Sequence, residues 1–434
     1  MTREGDAGAR AGGPAGGWWP GIRLRGAAGV PGAEARLAAD GERTLAWLAD
    51  LGLAPAVEVD RGRDEAGAYV GFRLAPDAAA RWAPDHDTVG LAHALGLDAA
   101  DGGGLDIGDR ALGPGDRRLG TGNRRLGIGD CGLDPEDRAL DTEILAAMLL
   151  GPIAFDLPSH DELVSAVRLR RRIVRAASRT VLAFDTEHAE RPEDCWRYAE
   201  ATGFTVVPGH DLVDALRKAT QPEVSGRLYS FSCYRATEYV LLLALAQELA
   251  ECNPALLAVL QRQWETRAIM SGEFHEVFLH EYGSLRDPLP FGYYVPGDRL
   301  WFRNPDEASA DVEGYEGSWV FYLGGGRFTN FWKPGRHYSL ADKCIELYHW
   351  RHGLRRDAAG RLWMDENAVE ARVRETVRDP EAVAAILARM LRLRDPAGVY
   401  GSGGCVDASR EYIRCVRPGS CTLSLPRLAS HRGA

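Results

Sequence analysis

The chain has 434 residues, a formal charge of −10, 45% hydrophobic and 26% charged residues. That length carries two or three domains with at least one well-buried core, and the acidic balance argues against general binding of nucleic-acid backbones, which needs clustered Lys and Arg. No apolar run reaches the roughly 18 residues of a membrane span, and eight cysteines without a CxxC pair are too sparse for a disulfide scaffold, so reduced thiols in a cytoplasm are expected.

Residues 1–17 are Gly- and Ala-rich, carry no apolar h-region of a secretory signal, and read as a disordered lead. Residues 18–100 read as a small accessory domain, with a helix over Ala33–Leu53 and a strand over Ala68–Leu74. Between 101 and 141 leucine recurs every seven residues, at 105, 112, 119, 126, 133 and 140. Only one apolar position per heptad is kept, and glycine and proline fill much of the rest. A coiled coil cannot form on that pattern, so the segment is expected to be a low-complexity linker.

From 142 to 355 the sequence becomes globular. Ser159 caps a helix over Asp161–Arg179. Its basic run, Arg168 to Arg172, is expected to be a solvated face rather than a nucleic-acid site. A helix is expected over Asp211–Ala219, with extended pieces before it at Thr180–Phe184 and Thr205–Pro208. Cys233–Leu249 is apolar on most faces and hence a central helix. Leu256–Met270 is helical too. After Pro296-Gly297-Asp298 the pattern turns to strands, through Leu300–Phe302, Ser318–Leu323 and Arg327–Trp332, with Gly324-Gly325-Gly326 as the turn. Ser339 caps a last helix to Trp350. Residues 356–434 form a C-terminal extension with one helix, Pro380–Leu393, and a Gly/Ser/Cys-rich end of no assigned structure. Helices followed by antiparallel strands make an α+β fold, in the order of papain-like cysteine enzymes.

The chemistry centres on Cys233. It opens the most hydrophobic helix, where unpaired amides and the positive end of the helix dipole favour a thiolate. Cys252 and Cys344 sit within or beside helical patterns and read as inert. His275 and His280 are five apart, whereas a zinc helix needs four, so no metal site is expected there. Gly324-Gly325-Gly326 is better read as a tight turn than as an anion cradle. The aromatic set from Trp301 to Trp332 is expected to be sheet packing, with its solvent-side members lining an acyl-donor groove.

Several blocks carry a resemblance. The helix Glu162-Leu163 to Ala177, the segment Leu228-Tyr229 to Cys233 and Ala236, the strand Tyr294-Val295-Pro296-Gly297-Asp298-Arg299 to Asp306, and the strand and turn Gly317–Gly326 resemble, in order and spacing, the Bacillus-type protein-glutamine γ-glutamyltransferases. That resemblance implies a transglutaminase-like fold and acyl transfer from a glutamine side chain, through a cysteine thioester, to a lysine amine. It also implies no metal or other cofactor, protein substrates with accessible Gln and Lys, and an association with spore-coat crosslinking. The family's glutamate before the cysteine is here Ser232, its second glutamate is Ser318, and its histidine falls near Asn330-Phe331-Trp332, where none is present. Glu316, two residues from Ser318 on the same strand face, and His337 are the candidate substitutes. A transglutaminase-fold binding protein with impaired catalysis and a thiol amidohydrolase are the alternative functions.

Overall fold

The computed structural model describes residues 21–26, 31–97, 134–185, 188–397 and 403–425. The lead at 1–17 and most of the leucine-repeat segment lie outside them. In the first third, strand β1 (Ile22–Arg25), helix α1 (Ala33–Asp50), and strands β2 (Val57–Asp64) and β3 (Gly67–Leu74) follow one another. Helix α2 (Pro135–Leu149) begins inside the span expected to be linker, because Pro135 at its first position and the Asp134 cap, which accepts the Glu136 N–H, start a helix there. Strand β4 (Phe155–Leu157) then pairs parallel with β1, giving a sheet of order β2-β3-β1-β4. Alternation explains the pairing: Ile22 and Leu24 are fully buried, while Arg25 on the opposite face meets Asp64 and Asp156. The N-terminal strands are therefore built into one core with α2 and the following helix.

Helix α3 (His160–Arg179) is capped by Ser159, whose hydroxyl accepts the Glu162 N–H at 3.1 Å. Its basic run is not a solvated face. Successive helical residues point about 100° apart, and α3 is packed between α2 and the central helix, so the arginines meet carboxylates on both sides. Arg168 and Arg172 pair with Glu248 and Glu251, Arg171 with Asp141, and buried Arg170 with Asp298 at 2.7 Å.

Helix α4 (Cys233–Cys252) is the centre of the fold. Val240, Leu242, Leu243 and Leu249 are fully buried against α3, the helix Leu212–Thr220 and the sheet. Each such side chain contributes about 1.5–3 kcal/mol of burial. The expected strands appear as β6 (Arg299–Arg303), β7 (Gly317–Gly324) and β8 (Arg327–Phe328), joined by two that were not expected, β5 (Leu279–Tyr282) and β9 (Tyr338–Ser339). Helix α5 (Leu340–Gly353) follows with a full capping box at Ser339 and Asp342. The C-terminal end, which had no assigned structure, supplies strand β10 (Arg410–Ile413). It does not join an edge: the antiparallel order is β9-β8-β7-β6-β10-β5. The fold is α+β, with the C-terminal extension inserted into its main sheet between β6 and the edge strand β5.

Two motifs prove structural. Gly297 has φ +88 and lies against Arg170, where an added Cβ would come within 2.8 Å of its Cα, so only glycine fits. Asp298, fully buried, accepts from Arg170, from the Val295 N–H and from the Tyr282 hydroxyl. The triple glycine is a turn with positive φ throughout, and its Gly325 N–H donates to the Glu143 carboxylate at 2.9 Å.

Candidate active site

Cys233 is the first residue of α4 and is half-buried. Ser232, at the family's glutamate position, is the helix N-cap: its hydroxyl accepts the Arg235 N–H at 3.3 Å. That local role accounts for a serine here, since serine is among the best N-caps. The sulfur also meets β7. On the β8 side of that strand, the Phe321 N–H donates to Thr329 Oγ1 and the Phe321 C=O accepts the Thr329 N–H, both at 3.0 Å. Two residues earlier β8 has ended, so the Trp319 N–H points along the same edge without a strand partner. It is directed at the Cys233 sulfur, as is the N–H of Tyr234.

Burial pushes the Cys233 thiol up, and it is opposed by the Trp319 N–H, the charge of Lys343, the Tyr234 N–H and the charge of Arg299. These two cations were not anticipated. Arg299, on β6, is fully buried, with its guanidinium carbon 4.5 Å from the Tyr234 ring centre and 4.0 Å from that of Trp319. It donates to Thr237 Oγ1 at 2.8 Å and to Glu411 at 2.6 Å. Lys343, on α5, is buried, pairs with Glu346 at 2.8 Å and lies 4.3 Å from the Tyr338 ring centre. Arg299 stood in the Pro296-Gly297-Asp298-Arg299 block, but nothing in the spacing tied it, Glu411 or Lys343 to Cys233.

The substitute partners lie elsewhere. Glu316 is exposed ahead of β7, its carboxylate 3.4 Å from the Gly314 N–H. His337 is half-buried before β9, where burial and then the Arg327 charge lower its pKa and keep it neutral. Among the described residues no hydrogen bond joins either to Cys233. Ser318 is buried and points to the face of β7 opposite Trp319. Where the family histidine is expected, Phe331 is buried in the core around α4. His275 and His280 have separate roles: His275, in the helix Ser271–Phe278, ion-pairs with Glu411, and His280, on β5, packs on Tyr412. Among the described residues no cluster of His, Cys, Asp or Glu is arranged to hold a metal ion.

Of the aromatic set, Phe302, Phe321, Tyr322, Phe328 and Phe331 are buried packing. Trp301, Trp319 and Trp332 are only half-buried, and Trp301 stacks on Trp319 at 6.3 Å while Tyr234 meets Trp319 edge-on at 5.2 Å. A partly open aromatic surface thus adjoins the sulfur.

A solved structure of a transglutaminase from Geobacillus stearothermophilus, without its C-terminal extension, is similar at 16% identity, over 59% of this chain and 95% of that chain, with a TM-score of 0.34. Among curated proteins none matches. The family model for protein-glutamine gamma-glutamyltransferases matches residues 133–410, which takes in α2 through α5 together with Cys233, Arg299 and Lys343, and ends just before Glu411. On that match the chain belongs to the protein-glutamine gamma-glutamyltransferase family.

Proposed function

We propose that this chain carries out its family's γ-glutamyl transfer with Cys233 as the nucleophile. The observation that supports this most is the position of the sulfur: first turn of the central helix, at the open edge of β7, with two backbone N–H groups directed at it. The ionised sulfur attacks the carboxamide carbon of a glutamine side chain. The C–N bond breaks, the nitrogen takes up a proton from water and leaves as ammonia, and a thioester remains. A lysine ε-amine then attacks the thioester carbonyl and the C–S bond breaks. Sulfur departs as thiolate, the nitrogen loses its proton to solvent, and an isopeptide bond is left. Backbone amides at the tip of α4 and on β7 suit the oxyanion that forms in each half.

Substrates on this reading are proteins with accessible Gln and Lys side chains, the Gln-bearing segment lying over Trp301 and Trp319. We place the protein in the cytoplasm, with crosslinking of a spore coat as its setting. No helix among the described residues is long and apolar enough to cross a membrane.

The test is incubation with a glutamine donor peptide and a labelled primary amine, with ammonia assayed in parallel. Amine incorporation that Cys233→Ala abolishes supports transfer. Ammonia without incorporation makes the protein a thiol amidohydrolase, and neither product makes it a binding protein on this fold. Glu316→Gln and His337→Ala decide whether either residue accepts the proton: loss of a positioned general base lowers kcat/KM by about 10²–10⁴.

A further inference from the structure

A fully buried guanidinium demands an account of its charge, because removing an ion from water costs several kcal/mol unless its partners compensate. Among the described residues Arg299 has one ion-pair partner, Glu411, and Glu411 is shared: its other oxygen lies 2.9 Å from His275 Nδ1. The Arg299 Nη2 is buried and has no hydrogen-bond partner among the described residues. The other ionisable groups packed nearby are Glu238 and Arg235, which pair with each other at 2.7 Å, and Glu281, opposite Glu411 across the sheet. Lys343, whose charge also reaches the sulfur, is paired with Glu346. With His275 protonated, Arg299 and His275 share the carboxylate of Glu411, while Arg235 and Glu238 pair with each other. The Arg299 guanidinium lies against the rings of Tyr234 and Trp319, the two residues whose backbone N–H groups are directed at the Cys233 sulfur.

We propose that Arg299 is a positioning residue whose charge favours the ionised form of Cys233, with Glu411 and His275 setting how much of that charge is left for the sulfur. This deepens the assignment of Cys233 as nucleophile and rests on it. It also makes the C-terminal extension part of the active site, since Glu411 belongs to β10.

The experiment is alkylation of the full chain by iodoacetamide across pH, with modification of Cys233 followed by peptide mass spectrometry and folding checked by circular dichroism. Arg299→Met is expected to slow alkylation about tenfold at pH 8, a displacement of one pH unit, and Arg299→Lys to restore most of it. Glu411→Gln, which frees the arginine's charge, is expected to move the profile the opposite way. A residue that only supports the fold would make both variants behave alike. Profiles that shift in the same direction, or not at all, overturn the proposal. If Arg299→Met does not fold, the pair Arg299→Met with Glu411→Gln leaves no lone buried charge, and it must be slower than Glu411→Gln alone. Alkylation needs neither a glutamine donor nor an amine, so it answers whether or not Cys233 transfers acyl groups.

Discussion

Replacing Asp298 by alanine tests how the active-site strand is anchored. Asp298 is fully buried, and the Arg170 side chain that it pairs with at 2.7 Å is only 3% exposed. Solvent screening is therefore absent, and removing the carboxylate leaves a guanidinium alone in the interior, at a cost of about 3–5 kcal/mol. The Val295 N–H and the Tyr282 hydroxyl lose the same acceptor, each worth about 1–3 kcal/mol when left unsatisfied. The three losses share one group and do not add, so Asp298→Ala should destabilise the chain by about 4–6 kcal/mol. For a domain of roughly 250 residues that lowers Tm by about 10–20 °C. Thermal unfolding followed by tryptophan fluorescence reads this, and Asp298→Asn, which keeps an acceptor, should lose less. A fall in Tm below about 3 °C for Asp298→Ala would refute the view that this turn locks α3 to the strand bearing Arg299.

Two further effects follow from the same contacts. The hydrogen bond to Glu411 raises the His275 pKa above its ordinary 6.5, while Glu411, despite its burial, is held below 4.5 by His275 and Arg299. The His275 contribution is thus full below pH 6.5 and fades as pH rises through the raised value; the Glu411 contribution is present above pH 4.5 and fades as pH falls through the lowered one. The stability gap between the wild type and His275→Ala should be widest between about pH 4.5 and 6.5 and narrow on both sides, measured by urea unfolding; a gap independent of pH would contradict the pairing. Ser232→Ala removes the N-cap of α4 and should cost about 1 kcal/mol in the same assay, and no loss would mean that the cap bond does not support the helix.

Much of this arrangement was legible before any coordinates. Ser159 before Asp161 and Ser339 before Leu340 mark helix starts by local chemistry, and each is an N-cap in the structure, whereas Ser232, read only as a lost glutamate, proves to be the N-cap of α4. The turn glycines and strand alternation of β6 and β7 are likewise local signals. What stayed hidden depends on contacts distant in sequence. The strand Arg410–Ile413 pairs with residues more than a hundred positions earlier, and no periodicity within four residues can announce that. The arginine run read as a surface because its composition is charged, yet its carboxylate partners come from α2, α4 and the Asp298 turn. Glu316 followed from strand parity, which fixes a face but not whether the chain end carries the side chain toward the sulfur. Arg299 and Lys343 reach the Cys233 environment only because sheet and helix close around it.

The most direct measurement is mass spectrometry of Cys233 after incubation with a glutamine donor peptide in the absence of amine. An acyl adduct on Cys233, equal to the donor mass less ammonia and discharged when a primary amine is added, is the predicted result. An unmodified Cys233, with amine incorporation that persists in Cys233→Ala, would contradict it.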